Sequence, residues 1–319
     1  MLAIELDIFS GMPNPTWVLP AREEASLFER LLADPRQASP EVSRSMRLGL
    51  GYRGLLVRRI KSDDGPWEKA LTRGDVNFPD AFRLGVAPVK EHAAADWLLR
   101  SANRFGARLP DEIEAVASRG VARIPMTRGP RAPGDEIDRK RIETPEIVAE
   151  GPLRPGTEPH ETWWACGSNY FSANANFFND PAHVTRNNCY CFASNHMADV
   201  RYALPGRRGG RPATAITCGG VIDGLRADGW KDGCQPNGLT IVMVIWPNYD
   251  YHFYRLVTGG PYWWWGHKPG GTPAKYTDDC GHAIYQYQGK GYAPNNICRG
   301  GYSDFCGYFY QDNWTAFVA

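Results

Sequence analysis

Apolar and polar residues alternate along the first residues of the chain and then change period. Over residues 2–8 every second side chain is apolar and acidic side chains lie between them, which predicts a half-buried β-strand. Residues 21–33 repeat leucine and phenylalanine at helical spacing behind an acidic first turn, so we expect an amphipathic helix there. Residues 51–60 read as another strand, and residues 89–105 as a helix that carries His92 on its surface.

The alternation ends before a proline-rich stretch, and the chain changes character on either side of it. Seven prolines lie between Pro125 and Pro159, a composition that stiffens a chain and buries little surface. We therefore predict an α+β protein with a small α+β module of unknown role at 1–118, a linker at 119–160 and a second domain at 161–319. The first module has no catalytic signature and is a candidate for binding a partner protein.

The second domain contains a predicted antiparallel sheet. Residues 239–246 form a continuous apolar run, and residues 251–257 and 262–268 are rich in aromatic residues. Two glycines between the last two runs are a hairpin signal, because tight hairpin turns need positive φ.

The hairpin predicts a specific pairing of two histidines. If Gly259 and Gly260 form the turn, then Thr258 faces Pro261 and His252 lies directly opposite His267. Opposed side chains share one face of a sheet, within about 5 Å at Cβ. Such a pair suits a general base and the partner that fixes its tautomer.

A cysteine lies at a predicted helix start. Residues 189–199 contain no glycine or proline, and Asn188 before them is a good N-cap residue. Cys189 then falls in the first turn, where the helix dipole favours thiolate. The alternatives at this position are a buried structural cysteine and half of a disulfide.

The order of a cysteine on a helix start, a histidine on a strand and a polar partner on the next strand resembles the papain-like superfamily. It is most similar to the NlpC/P60 and CHAP branch of cysteine peptidases and amidases. Five segments over about residues 165–310 are also similar to a bacterial family without an assigned function. They are Asn187–Ala193, Ala203–Arg207, Asp250–Arg255, His267–Gly270 and Phe305–Phe309.

The resemblance implies a papain-like domain, with a cysteine-bearing helix packed on the sheet, that acts on a peptide or amide substrate. Cys189 would be the nucleophile, His252 the base and His267 the residue that orients it. Cys191 stands where the bacterial family has a polar residue, and His183 replaces the glutamine that papain-type enzymes use for the oxyanion.

Two groups of residues complete the predicted site. Backbone N–H groups at Cys189 and Tyr190, with the side-chain amide of Asn187 or Asn188, are the candidates for oxyanion stabilisation. Three aromatic residues are candidates for lining the substrate cleft, namely Trp263, Trp265 and Tyr254.

Two other functions fit parts of the pattern. Tryptophans 163, 164 and 263–265 could form the stacking surface of a carbohydrate- or peptide-binding module without catalysis. Cys189, Cys191, His252 and His267 could bind a metal, although the chain has neither the Cys-x-x-Cys pair nor the His-Glu-x-x-His spacing of specific zinc sites. On the catalytic interpretation we expect no metal and no cofactor.

Composition narrows the remaining classes. With 36 basic and 35 acidic residues the chain is nearly neutral, which argues against a nucleic-acid partner. The longest apolar run, of about eight residues, is far shorter than the roughly 20 that a membrane span needs. The first residues lack the pattern of a Sec signal peptide. All eight cysteines lie in the second domain, a density that suits disulfides in an oxidising compartment. We therefore expect either a cytoplasmic protein or one exported without a Sec signal.

Overall fold

A computed structural model describes residues 1–42, 48–60, 72–73, 76–122, 178–235, 238–258, 262–287 and 290–319. In this part of the chain helices occur together with antiparallel sheets, so the predicted α+β class is confirmed. The 259–261 turn and most of the predicted linker, together with Trp163 and Trp164, lie outside the described residues.

The chain divides into two compact units. The first comprises Met1–Ile8, Asn14–Met46 and Gly51–Thr127, and the second comprises Phe9–Pro13, Arg47–Leu50 and Arg128–Ala319. Two short segments that precede residue 51 thus belong to the second unit, a division that chain order alone does not indicate.

In its described residues the first unit contains a five-stranded antiparallel sheet and a separate two-stranded ribbon. Its strands are β1 (Leu2–Leu6), β2 (Thr16–Leu19), β3 (Ser39–Pro40), β4 (Leu55–Arg59), β5 (Thr72–Arg73), β6 (Val76–Asn77) and β7 (Ala81–Leu84). Five of them pair in the order β2-β1-β4-β7-β3, while β5 and β6 form a separate ribbon. Its helices are α1 (Ala21–Ala33), α2 (Ala93–Ser101) and α3 (Asp111–Ala122).

Helix α1 follows the predicted bounds and buries Leu27, Phe28 and Leu31. The helix predicted over 89–105 is shorter, because α2 begins only after His92 and is followed by a 3₁₀ turn. The expectation of a surface His92 is wrong. Its side chain is buried and precedes the first turn instead of lying on the outward face of the helix.

The acidic side chains of the strand predicted over residues 2–8 are buried, contrary to the half-buried strand that alternation predicts. The carboxylate of Asp7 binds the guanidinium groups of Arg53 and Arg83 at 2.7 Å each, and all three side chains are buried. Burial alone would raise the pKa of Asp7, but the two arginines hold it well below its usual range.

In its described residues the second unit contains a six-stranded antiparallel sheet and two helices. The strands are β8 (Gly238–Trp246), β9 (Asp250–Thr258), β10 (Tyr262–His267), β11 (Tyr285–Tyr287), β12 (Lys290–Tyr292) and β13 (Asp304–Asp312). Their order is β12-β11-β10-β9-β8-β13, which makes β9 a central strand. The helices are α4 (Cys189–Ala193) and α5 (Cys218–Ala227).

Helix α4 packs on the face of the sheet formed by odd-numbered residues of β9. The ring of Tyr190 lies 5.2 Å from that of Phe253, and Cys189 and Phe192 belong to the same buried cluster as Tyr251. None of the helices in the described residues is both long and apolar enough to cross a membrane.

Candidate active site

Helix α4 begins where the sequence predicts and ends early. The side chain of Asn188 accepts the backbone N–H groups of Tyr190 and Cys191, at 3.1 and 3.2 Å, as an N-cap residue should. The helix stops at Ala193 instead of continuing toward residue 199. Asn195 and Asp199 adopt positive φ, which asparagine and aspartate tolerate better than most residues.

A buried lysine fixes the loop before the helix. The ammonium of Lys268 donates to the carbonyls of Val184 and Asn187 at 2.6 Å, and to that of Gly270 at 2.7 Å. The sequence offered this residue only as part of the His267–Gly270 segment, without a role. Its position ties the end of β10 to the residues that place Asn188 and Cys189.

The thiol of Cys189 lies against the backbone on both sides of His252. Its Sγ is 3.8 Å from the carbonyl oxygen of Tyr251 and also accepts the backbone N–H of Phe253. The pairing of β9 with β10 ends at Tyr254 and His267. The thiol lies beside the residues of β9 that precede this last pair. Both Cys189 and His252 are fully buried.

The two histidines are hydrogen bonded, although the predicted register is wrong. His267 pairs with Tyr254, not with His252, and a bulge lies between Trp264 and Trp265. The shift amounts to two residues, and because side chains alternate with a period of two, it leaves both histidines on one face. Nε2 of His252 lies 2.8 Å from Nδ1 of His267.

A backbone carbonyl fixes the direction of this hydrogen bond. Nε2 of His267 lies 2.8 Å from the carbonyl oxygen of Thr277, which can only accept, so that nitrogen carries a proton. In neutral His267 the Nδ1 atom is then an acceptor, and Nε2 of His252 donates to it. In neutral His252 the lone pair therefore resides on Nδ1, and this ring lies on the face of β9 opposite to α4 and the Cys189 thiol.

The expected thiolate is not favoured in this structure. Burial raises the pKa of Cys189 well above its usual value, and the negative charge of Asp250 raises it further. The positive charge of Lys268 and the N–H of Phe253 act in the opposite direction but are smaller effects. The prediction of a lowered pKa was wrong because desolvation outweighs the dipole of a helix only five residues long.

The predicted oxyanion donors are already engaged. The amide of Asn187 donates to the carbonyl of His183 and to Asp199, each at 2.9 Å, and accepts the N–H of Asp199. The amide of Asn188 donates to the carbonyl of Ala203 at 2.8 Å, and its oxygen holds the Tyr190 N–H. These side chains therefore position the loop and the helix start.

The aromatic residues predicted for the cleft differ in exposure. Tyr254 and Trp265 are fully buried, whereas Trp263 is half-buried. The ring of Tyr254 lies 4.8 Å from that of His267 and 5.0 Å from that of His252. Tyr254 therefore packs beside the histidine pair.

A buried carboxylate at the start of β9 was not predicted from the sequence. Asp250 accepts the backbone N–H groups of Gly11 at 3.0 Å and Met12 at 2.8 Å, together with the N–H of Ser10 and the hydroxyl of Tyr302. Burial raises the pKa of Asp250 to about 6, although these hydrogen bonds lower it. Asp250 is visible in the Asp250–Arg255 segment, but no spacing rule connects it with residues 240 positions earlier.

The Phe9–Pro13 segment, here called the strap, also contacts the helix start. The carbonyl of Gly11 accepts hydrogen bonds from the Asn188 amide at 3.4 Å and from the Tyr251 hydroxyl at 3.3 Å. A Cβ atom on Gly11 would lie 2.3 Å from the Tyr251 ring, so the approach requires glycine. The strap thus lies over the residues that hold the thiol.

The seven cysteines among the described residues fall into two classes. Cys218 is bonded to Cys306 and Cys280 to Cys298, and Cys234 is also in a disulfide, whereas Cys189 and Cys191 are free and buried. Neither of the two cysteines on α4 is half of a disulfide.

The geometry argues against the metal site proposed from Cys189, Cys191, His252 and His267. Among the described residues, the group close enough to hold an ion is Cys280, His282 and Cys298. Its two cysteines are joined to each other in this structure. The four residues of the predicted metal site do not form such a group.

Comparison with known proteins gives one informative similarity. The chain is 40% identical over 126 residues to insoluble matrix shell protein 1 of Ruditapes philippinarum, a match that covers 39% of this chain and 78% of that protein. The chain therefore belongs to the same family as that protein. No protein-family model and no solved structure matches it.

Proposed function

We propose that this relative of insoluble matrix shell protein 1 is a papain-like thiol hydrolase or acyl transferase that acts on an amide or peptide bond. Cys189 is the nucleophile, His252 the general base and His267 the residue that orients the base. The second unit supplies all three, with the cysteine on a helix start beside the central strand that carries His252.

The observation that carries this proposal is the hydrogen-bonded series from Thr277 through His267 to His252. A general base must present a lone pair toward the proton that it removes. The Thr277 carbonyl selects the tautomers that leave this lone pair on Nδ1 of His252. The thiol lies against the two peptide groups that flank the same histidine, on the face of β9 formed by odd-numbered residues. The imidazole of His252 lies on the opposite face, so proton transfer between the two side chains requires a rearrangement of α4 or of β9.

The chemistry follows from these positions. Once a rearrangement brings the two side chains together, the Cys189 thiol gives its proton to Nδ1 of His252 as sulfur bonds to the acyl carbon, and His267 stabilises the resulting imidazolium. The carbon–nitrogen bond then breaks as His252 returns the proton to the departing amine, leaving a thioester on Cys189. Water completes hydrolysis, whereas a second amine completes acyl transfer.

The strap and the high thiol pKa describe a closed resting state. The thiol is fully buried and protonated, and the strap covers the helix start. Substrate access therefore requires displacement of the strap, and catalysis requires His252 as base, because the thiolate is not formed beforehand.

A second candidate function is that of a non-catalytic constituent of an extracellular matrix. The relative is named as an insoluble matrix shell protein. Disulfides at Cys218–Cys306 and Cys280–Cys298 are typical of oxidising compartments, so of the two predicted locations we propose the one outside the cytoplasm. A matrix role does not require the ordered histidine pair, which is why we rank it second.

Activity measurements on the full chain test the proposal. A panel of activated esters and amides is assayed with the wild type, Cys189→Ala and the matched control Cys191→Ala. We expect turnover by the wild type and Cys191→Ala but none by Cys189→Ala. Equal turnover by all three proteins, or none by a folded wild type on any acyl donor, would favour the matrix role.

A further inference from the structure

Arg255 is a fully buried cation without a counter-ion. Its side chain is 0% exposed, and none of its three guanidinium nitrogens has a hydrogen-bond partner in the described part of the chain. Isolated buried charges cost several kcal/mol, so their retention calls for an explanation.

Other buried arginines of this protein are paired. Arg53 and Arg83 both bind the carboxylate of Asp7 at 2.7 Å. These two buried guanidinium groups of the first unit therefore share a carboxylate as their counter-ion. In the described part of the chain the guanidinium of Arg255 lies against an aromatic ring, since its Cζ is 4.7 Å from the centre of the Phe192 ring, and its charge interacts with Tyr276.

Strand β10 and helix α4 both lie next to Arg255. It lies opposite Gly266 on β10, where a Cβ atom would be 3.0 Å from the Tyr276 ring and 3.2 Å from the Phe192 ring. Glycine at this position lets the two rings approach the guanidinium. Desolvation in this apolar setting lowers the pKa of Arg255 to about 9, which an approaching anion would reverse.

We propose that Arg255 binds a carboxylate carried by the acyl donor. A guanidinium presents a planar fork of donors that matches a carboxylate in two parallel hydrogen bonds, with aromatic rings against its faces. Arg255 lies on the face of β9 that carries the cysteine-bearing helix, and it is about 10 Å along the strand from the point where the Cys189 thiol meets the backbone. Phe192, which contacts the guanidinium, is one helical turn from Cys189.

The distance between Arg255 and the thiol predicts the class of substrate. The donor would carry a carboxylate about 10 Å from the acyl carbon, roughly three residues away in an extended peptide. The role in substrate choice rests on the proposed function, whereas the anion site itself does not.

Thermal unfolding of the full chain in sodium acetate, against sodium chloride of equal ionic strength, tests the site. We expect acetate to raise the unfolding temperature of the wild type to a plateau, and to do the same for Cys189→Ala. Arg255→Met should lose this response while unfolding in chloride at the wild-type temperature or above, because it removes an uncompensated charge. Arg255→Lys keeps the charge without the fork, so it should bind acetate about 10-fold more weakly.

Three results would overturn the site. These are no saturable acetate effect in the wild type, an undiminished effect in Arg255→Met, and a plateau with inorganic phosphate but not with acetate. An Arg255→Met protein that is strongly destabilised in chloride would also contradict it, since the arginine would then be structural.

Turnover measurements distinguish the proposed anion site at Arg255 from the proposed catalytic function. If acetate stabilises the wild type but no donor is turned over, the anion site stands and the proposed function fails. If donors are turned over without preference for a carboxylate and acetate has no effect, the reverse holds.

Discussion

Nε2 of His252 and Nδ1 of His267 lie 2.8 Å apart although the two residues are not opposite each other in the sheet. His267 pairs with Tyr254, so His252 is its diagonal neighbour two residues along β9. Diagonal neighbours are within reach of long or aromatic side chains. The hydrogen bond therefore depends on the shared face more than on the register.

Loss of His267 should weaken catalysis without abolishing it. In His267→Ala the base remains but its tautomer and ring orientation are no longer fixed, so we expect kcat to fall by about 10²-fold. His252→Ala should cost as much as Cys189→Ala, because nucleophile and base act as a unit. Steady-state kinetics on one activated donor would give this ranking. A His267→Ala protein as inactive as His252→Ala would make His267 more than an orienting residue.

The sequence predicted what depends on local pattern and missed what depends on distant pairing. A mostly apolar run and two aromatic-rich runs located β8, β9 and β10, and the N-cap residue Asn188 located the start of α4. The predicted register failed because it assumed a regular two-residue turn, whereas a bulge at Trp264 and Trp265 shifts the strands.

Burial was the second source of error. Helix position suggested a reactive thiolate at Cys189, but its pKa is set mainly by desolvation, which only the packed structure reveals. The roles of Lys268 and Asp250 likewise depend on backbone groups far along the chain. No spacing within either segment encodes those contacts.

Titration of Asp250 should make the free energy of unfolding depend on pH in the mildly acidic range. Its pKa is raised from 3.8 to about 6 in the folded protein, so between these values the folded state binds more protons than the unfolded state. The free energy of unfolding should therefore decrease as pH rises from about 4 to 6, by roughly 2–3 kcal/mol. Asp250→Asn should remove this slope.

Chemical denaturation across that pH range checks the prediction. Asp7 acts in the opposite sense, because its pKa is lowered and its contribution is lost as pH falls below about 4. The comparison is therefore between Asp250→Asn and wild type at each pH. Parallel curves for the two proteins would show that Asp250 does not titrate in this range.

Removal of the Lys268 ammonium should loosen the helix start. Lys268→Met leaves three buried carbonyls without their donor, and we expect a loss of about 3 kcal/mol of stability. The matched control is Lys231→Met, an exposed position, where a change within about 0.5 kcal/mol is expected. Equal stability of the two variants would mean that Lys268 does not hold the loop.

The two disulfides should differ in their contribution to stability. Cys218–Cys306 joins α5 to β13 across 88 residues, whereas Cys280–Cys298 spans 18. Loop-closure entropy predicts a loss of about 4–5 kcal/mol for the first double alanine variant and about 3 kcal/mol for the second. Denaturant midpoints of the two variants would give the order, and a larger loss for Cys280→Ala/Cys298→Ala would contradict it.

The most direct test of the central claim is to locate the acyl group on the protein. The full chain is mixed with an activated acyl donor, quenched in acid before deacylation, and digested for peptide mass mapping. We predict a thioester on Cys189 in the wild type and in Cys191→Ala, and none in His252→Ala. An acyl group on Cys191, or equal labelling of Cys189 in the wild type and His252→Ala, would contradict a Cys189 nucleophile activated by His252.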